Sequence, residues 1–249
     1  MKISILIPCY NEEKGIAKVI DGIPLDTLNR LGYETEIIVI NNNSTDKTAF
    51  IAKEKSVRVV NEKKKGKGFA IKTGFDSISE DSEYVVMLDG DNSYSSSEIP
   101  RIIEPLVSNF CDVVVGSRLG GKINKGSLKF PNRVANWGYT FLVRQLYRAN
   151  TTDVLSGYFG WKREVIDKIK PHIKANGFAV EMEMIIRIVK LGYEIYSVPV
   201  TYDPREGESK LNPLKDGTQI MLVFVKNIFW SPKKDKKKID FRLIFNSKR

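Results

Sequence analysis

The chain has 249 residues, 42% of them hydrophobic, enough for one large α/β domain or two small ones. Its formal charge is +10. Only two cysteines and one histidine are present, which excludes a disulfide framework and a histidine-based zinc centre.

A strand over 2–8 comes first. Ile5-Leu6-Ile7 is apolar, and Pro8, lacking an N–H, stops the ladder. It runs into Pro8-x-Tyr10-Asn11-Glu12, where the Tyr10 ring offers a platform for a nucleobase. Helical periodicity follows over 12–23. A second strand, 35–40, ends in Asn41-Asn42-Asn43-Ser44-Thr45-Asp46-Lys47-Thr48, whose side-chain amides suit reading a base edge. A helix over 46–55 and a strand over 57–61 come next. Lys65-Gly66-Lys67-Gly68 then opens a helix over 68–79. It brings backbone N–H groups and a cation to one spot, which suits phosphate, although the spacing is not that of a Walker A loop. The fourth strand, 84–89, delivers Asp89-Gly90-Asp91. Two carboxylates one residue apart at the carboxyl end of a strand suit a hard divalent cation. Open α/β sheets bind ligands along that edge. A helix over 99–109 and a strand over 112–117 continue a rhythm that predicts a mostly parallel central sheet with helices on both faces.

The second half is less regular. A Gly/Lys-rich loop over 120–130 leads to an apolar, aromatic helix over 134–147 containing Trp137, Tyr139 and Phe141. A helix over 180–191, a strand over 195–202 and a last helix over 212–230 follow. The longest apolar stretches fall short of the roughly 20 residues needed to span a bilayer. Residues 205–249 hold 12 Lys/Arg against 5 Asp/Glu, so most of the excess charge lies there. An apolar helix ending in Trp230, then lysines at 233, 234, 236, 237 and 238, suits docking on an anionic membrane surface. The alternative is a helix packed on the domain with solvated lysines. The simplest partition is one domain, 1–212, plus an amphipathic helix and basic tail, 213–249. Met1 leads straight into a strand, so the expected location is cytoplasmic, peripheral on the inner face of the cell membrane. The basic charge also raises nucleic acid, but no binding motif is present and the lysines concentrate in the tail, so no nucleic-acid partner is expected.

Pro8/Tyr10/Asn11/Glu12, Ser44-Thr45-Asp46-x-Thr48, Gly66-Lys67-Gly68, Asp89-Gly90-Asp91, Gly116-Ser117-Arg118, Ser156-Gly157-Tyr158-Phe159 and Gly207-Glu208-Ser209-Lys210 occur in that order. Together, over about residues 1–212, they resemble a family 2 glycosyltransferase of GT-A (nucleotide-diphospho-sugar transferase) fold. The likeness is closer to the dolichyl-phosphate mannose/glucose synthase branch, including its archaeal N-glycosylation relatives. The resemblance implies a nucleotide-sugar donor, UDP- or GDP-linked, a divalent metal (Mg²⁺ or Mn²⁺), and a polyprenyl (dolichyl) phosphate acceptor. It implies metal on Asp89 and Asp91, with Ser93 where close relatives carry a metal-binding Gln. It also implies donor contacts from Pro8, Tyr10, Asn11, Glu12, Asn41, Asn42, Lys67 and Gly90. Arg205, Ser209 and Lys210 match a loop that closes over the donor diphosphate, and Arg118 and Arg133 match arginines that meet the acceptor phosphate. Arginine suits that role because its fork binds phosphate bidentately.

A phosphate acceptor is already an anion and needs positioning, not a general base. A sugar-hydroxyl acceptor would need one. Of Glu181 and Glu183, Glu183 matches the family position better. It is expected to orient Lys210 or Arg205, with a base role for a hydroxyl acceptor as the alternative. Three departures stand out: Asn41-Asn42 stands where the pattern has Asp-Asp or Asp-Asn, Ser93 replaces the Gln, and the C-terminal transmembrane helices of some relatives have no counterpart.

Overall fold

The computed structural model describes residues 1–232. Its first strand, β1 (Lys2–Cys9), sends Ile3, Ile5 and Ile7 to one layer and Leu6 to the other. A strand buried on both faces belongs in the middle of a sheet covered by helices on both sides. It pairs in parallel with β2 (Glu34–Asn41) and β4 (Ser82–Met87), and β2 carries β3 (Arg58–Asn61) on its outer side. Beyond β4 lies β6 (Phe159–Lys162), antiparallel to both β4 and β5 (Val113–Ile123), and β7 (Ile195–Tyr202) runs parallel to β5. The seven strands therefore stand in the order β3-β2-β1-β4-β6-β5-β7.

The helices divide between the two faces. α1 (Ile16–Asp21), α2 (Leu25–Arg30), α3 (Thr48–Glu54) and α5 (Ile99–Val107) contribute Ile16, Val19, Leu28, Ala52, Ile102 and Leu106 to one buried cluster. On the other face are α4 (Lys67–Ser77), α6 (Phe130–Tyr147), α7 (Arg163–Ile169), α8 (Val180–Lys190) and α9 (Pro213–Ile228). Trp161 on β6 anchors this second cluster, stacked on Phe159 at 5.0 Å and edge-on to Phe75 at 5.4 Å.

Several boundaries differ from the sequence expectation, each for a local reason. The helix expected over 12–23 is confined to α1, which is capped by Gly22, and Pro24, which cannot continue its hydrogen-bond ladder, caps the separate α2. β4 ends at Met87 rather than at residue 89. The Leu88 N–H still bonds the Leu6 carbonyl at 3.2 Å, and the ladder then releases Asp89. β5 runs on to Ile123 through a register shift between Ser117 and Lys122, where a loop was expected. β6 and α7 were not expected: four strand residues carry too little alternation to read, and pairing on both sides decides their state.

α9 packs by one face on the domain. Ile220 and Phe224 join the α8 cluster, and the Tyr147 hydroxyl donates to the Phe224 carbonyl at 2.6 Å. The Lys190 ammonium takes the Asn227, Ile228 and Trp230 carbonyls at 2.5, 2.9 and 2.6 Å, satisfying orphan acceptors at the helix end. The lysine cluster over 233–238 lies outside the described residues. Among those described, no helix is long and apolar enough to cross a membrane.

Candidate active site

The carboxyl ends of β1, β2 and β4 open onto one cleft of about 430 Å³. Of the residues singled out from the sequence, Pro8, Tyr10, Asn11, Glu12, Asn42, Lys67, Asp89, Gly90, Asp91, Arg205 and Lys210 line it. They come from positions up to 202 residues apart, brought together by the parallel order of the strands.

The polar loop after β2 has a structural task. The Asn11 N–H donates to Ser44 Oγ at 3.1 Å, the Thr45 N–H to Asn11 Oδ1 at 2.8 Å, and the Glu12 N–H to Thr48 Oγ1 at 2.8 Å. These bonds hold the β1 exit, where Asn11 takes the left-handed conformation (φ 55°), against the start of α3. Asn42 fixes the other wall. Its Nδ2 donates to the Lys64 carbonyl at 2.7 Å and its Oδ1 accepts from the Gly66 N–H at 2.8 Å, so the Lys65–Lys67 turn is tied to the end of β2. Asn41 faces away, bonded to Asn61 at 2.9 Å, and does not line the cleft. Tyr10 lies under the Lys65 ammonium, 4.2 Å from its ring centroid.

Gly90 lets the Asp89–Asp91 turn lie against β1, since a Cβ there would collide with Cys9 Sγ. Burial, then the negative charge of Glu12 and Asp89, pushes the Cys9 thiol well above its ordinary range. Cys9 and Cys111 are both free and buried, consistent with a packing role.

Each aspartate is bridged by a side-chain cation to a second carboxylate. The Lys67 ammonium sits 2.7 Å from Asp89 Oδ1 and 2.7 Å from Glu181 Oε1. Burial works against its charge, but the Asp89 and Glu181 carboxylates outweigh burial and hold it above the usual lysine range. The Arg205 guanidinium sits 3.0 Å from Asp91 Oδ2 and 3.2 Å from Glu12 Oε1. Burial and the neighbouring Asp91 charge push Glu12 up to about 8, with Arg205 opposing. Glu12 Oε2, Glu181 Oε2 and Arg205 Nε are buried without a hydrogen-bond partner. Among the described residues no group of three His, Cys, Asp or Glu side chains is arranged as a metal cage. Two carboxylates plus unpaired carboxylate oxygens nevertheless fit a hard cation whose remaining ligands come from a diphosphate and water.

Three expected roles are corrected by this geometry. Ser93, expected at the metal, donates through both its Oγ and its N–H to Asp91 Oδ1, at 2.5 and 3.0 Å, so it aims the aspartate. Glu183 touches neither Lys210 nor Arg205. It accepts from the Lys174 and Ala175 N–H groups at 2.8 and 2.7 Å and pairs with Arg187 at 2.6 Å. Glu181 instead reaches Lys67, which lines the cleft. Residues two apart on a helix point about 200° apart, so only one of the two glutamates can reach that lysine. Arg118 is buried and forked onto Asp153, Nε to Oδ2 and Nη2 to Oδ1 both at 2.8 Å, with a further bond to the Leu155 carbonyl. It does not line the cleft.

Arg133 stands exposed in the first turn of α6 and makes no side-chain bond among the described residues. Ser209 is exposed, its Oγ accepting from the Leu211 N–H at 3.4 Å. The loop carrying Arg205 is pinned at its root, where the Glu206 N–H bonds the Asp91 carbonyl and the Asp203 N–H the Ser93 carbonyl, both at 2.8 Å. Lys65 and Phe178 also line the cleft. Lys65 falls in a motif already noted, but nothing in the sequence marks Phe178.

A mostly parallel sheet with one antiparallel insertion, and paired aspartates at the mouth of a cleft along its carboxyl edge, define a GT-A glycosyltransferase. Glucosyl-3-phosphoglycerate synthase from Mycobacterium tuberculosis, solved with Mn²⁺, UDP-glucose and phosphoglyceric acid, superposes with a TM-score of 0.70 at 23% identity, over 94% of this chain and 81% of that one. The chain belongs to glycosyl transferase family 2, whose model matches residues 4–170. Among curated relatives, glycosyltransferase AglJ of Haloferax volcanii is 31% identical over 88% of this chain and 70% of its own length. A dolichyl-phosphate hexose transferase of the same organism is 30% identical over 90% of this chain and 92% of its own.

Proposed function

We propose that this glycosyltransferase moves one sugar from a UDP- or GDP-linked donor to a polyprenyl (dolichyl) phosphate, using Mg²⁺ or Mn²⁺, at the cytoplasmic face of a membrane. The observation that carries the acceptor class is the state of the two α8 carboxylates. Glu183 is held by Arg187 and by the Lys174 and Ala175 N–H groups, and Glu181 lies behind Lys67 and does not line the cleft, so neither meets a hydroxyl there. An acceptor that arrives ionised needs no such group. The name of the Haloferax dolichyl-phosphate hexose transferase supports the same class.

On the donor side, Asp89 and Asp91 would hold the metal, Tyr10 would offer its ring to the base, and Lys67, Arg205 and Lys210 would face the diphosphate. The bound cation would supply Lewis-acid neutralisation of the departing nucleotide. The Mn²⁺ and UDP-glucose in the Mycobacterium tuberculosis enzyme agree with this donor chemistry. Arg133, exposed and unbonded, is available to an acceptor phosphate, whereas Arg118 is not.

Two helices support membrane docking. α6 exposes Phe130, Val134, Trp137 and Phe141, and α9 exposes Leu214, Met221, Leu222 and Val225, with Phe229 exposed just past its end. Their buried sides meet through Tyr139, whose hydroxyl donates to the Gly217 carbonyl at 3.2 Å, and through Tyr147 on Phe224. Residues 119–152 include Lys122, Lys125, Lys129, Arg133, Arg144 and Arg148 and no acidic residue. Apolar rows among cations suit an anionic lipid surface.

The test is a screen of radiolabelled nucleotide sugars with Mg²⁺ or Mn²⁺ against three acceptors: a polyprenyl phosphate, the matching polyprenol and a free sugar alcohol. Label appearing on the phosphate alone is expected. Label only on a hydroxyl acceptor would overturn the acceptor class.

A further inference from the structure

The two bridges in the cleft, Asp89–Lys67–Glu181 and Asp91–Arg205–Glu12, share one design. The cations are held differently. Lys67 leaves α4 between two glycines whose loop is fixed: the Gly68 N–H bonds the Asn176 carbonyl at 2.9 Å, and Asn42 holds Gly66. Its ammonium is thus confined to the gap between β4 and α8. Arg205 sits on a loop rooted by Glu206, which also pairs with Lys18 at 2.6 Å.

We infer that Lys67 and Arg205 are exchangeable internal counter-ions. In the donor-free chain they occupy Asp89 Oδ1 and Asp91 Oδ2, carboxylate oxygens for which a metal would compete, with Glu181 and Glu12 as positioning residues that hold them there. This rests on the donor chemistry proposed above. A metal arriving alone strips each cation of one of its two carboxylates and offers no anion in its place. A metal arriving with a diphosphate brings new anionic oxygens within reach, and both cations transfer from carboxylate to phosphate. Metal and nucleotide therefore bind synergistically, each strengthening the other by the same factor. No bond is made or broken in the exchange, only ion-pair partners.

The test measures Mn²⁺ binding to the full chain by electron paramagnetic resonance, alone and with UDP or GDP. No acceptor is present, so its outcome is independent of the acceptor class. For the wild type, Mn²⁺ alone should bind at least about tenfold more weakly than in the presence of the diphosphate that binds. R205Q should tighten Mn²⁺ binding alone, while weakening the diphosphate, and so shrink the synergy. K67Q should do the same. Arg205 is partly exposed on a loop, so R205Q reads the effect even where K67Q, at a buried position, fails to fold. A purely structural role would lower both affinities together. Tight Mn²⁺ binding to the wild type without nucleotide, or R205Q leaving Mn²⁺ affinity unchanged or lower, overturns the exchange while leaving the metal assignment intact. Failure to bind Mn²⁺ under any of these conditions overturns both.

Discussion

Trp161 and Trp137 belong to two regions built on different rules. Trp161, on β6, is completely buried between Phe159 and Phe75 beneath the strands that carry the cleft. Trp137, on α6, is 63% exposed and stacks only on Phe141, at 5.8 Å, along a surface of apolar side chains among cations. Around the cleft most polar groups have a protein partner. Among the described residues, α6 and α9 carry apolar side chains that no other part of the chain covers. The first region is preorganised for small charged ligands, whereas the second presents an apolar surface. An aromatic residue thus means rigidity in one place and exposed apolar surface in the other.

The largest effect should come from the cleft. Asp91→Asn keeps the size of the side chain and leaves an oxygen for the Ser93 bonds, but removes the charge. Transfer should fall on the order of a thousandfold or more. Circular dichroism and the unfolding midpoint should stay close to wild type. Full activity of this variant in EDTA would remove the metal from the site.

Next comes Trp161→Ala, which should destabilise the fold by about 3–5 kcal/mol through a cavity beneath β4 and β6. Denaturant unfolding measures it. A loss under 1 kcal/mol would mean that the sheet is not the rigid platform described here. Arg133→Ala should be milder and confined to the acceptor. Losing a charged fork on phosphate costs about 2 kcal/mol, roughly a thirtyfold rise in KM for lipid phosphate, with KM for the nucleotide sugar unchanged. Equal changes in both constants would take Arg133 out of the acceptor path.

The smallest stability effect is the sharpest test of the comparison. Trp137→Ala should change unfolding free energy by no more than about 0.5 kcal/mol, as exposed substitutions generally do. It should nonetheless reduce co-sedimentation with anionic vesicles at low salt. Unaltered vesicle binding would leave the α6 surface without a lipid partner.

The amino-acid sequence by itself determined the parallel half of the sheet. Its strands are apolar runs closed by turn residues, and the chemistry sits directly after them. Pro8–Glu12, the Lys65–Gly68 turn and Asp89–Asp91 could be read because a strand end fixes where the next residues go. Only the tertiary structure decided which candidate side chains face the cleft. Of Glu181 and Glu183 the second matches the family position better, yet their directions on α8 send Glu181 to Lys67 and Glu183 to Arg187. Arg118 and Arg133 are both arginines matching a phosphate-binding pattern, yet Asp153, 35 residues from Arg118, claims the first, while the second meets no side-chain partner among the described residues. β6 likewise exists because β4 and β5 pair with it. The physical reason is common to all three. Chain order sets where a backbone goes over a few residues, whereas the partner of a charged side chain or a short strand comes from distant segments, and only packing brings those together.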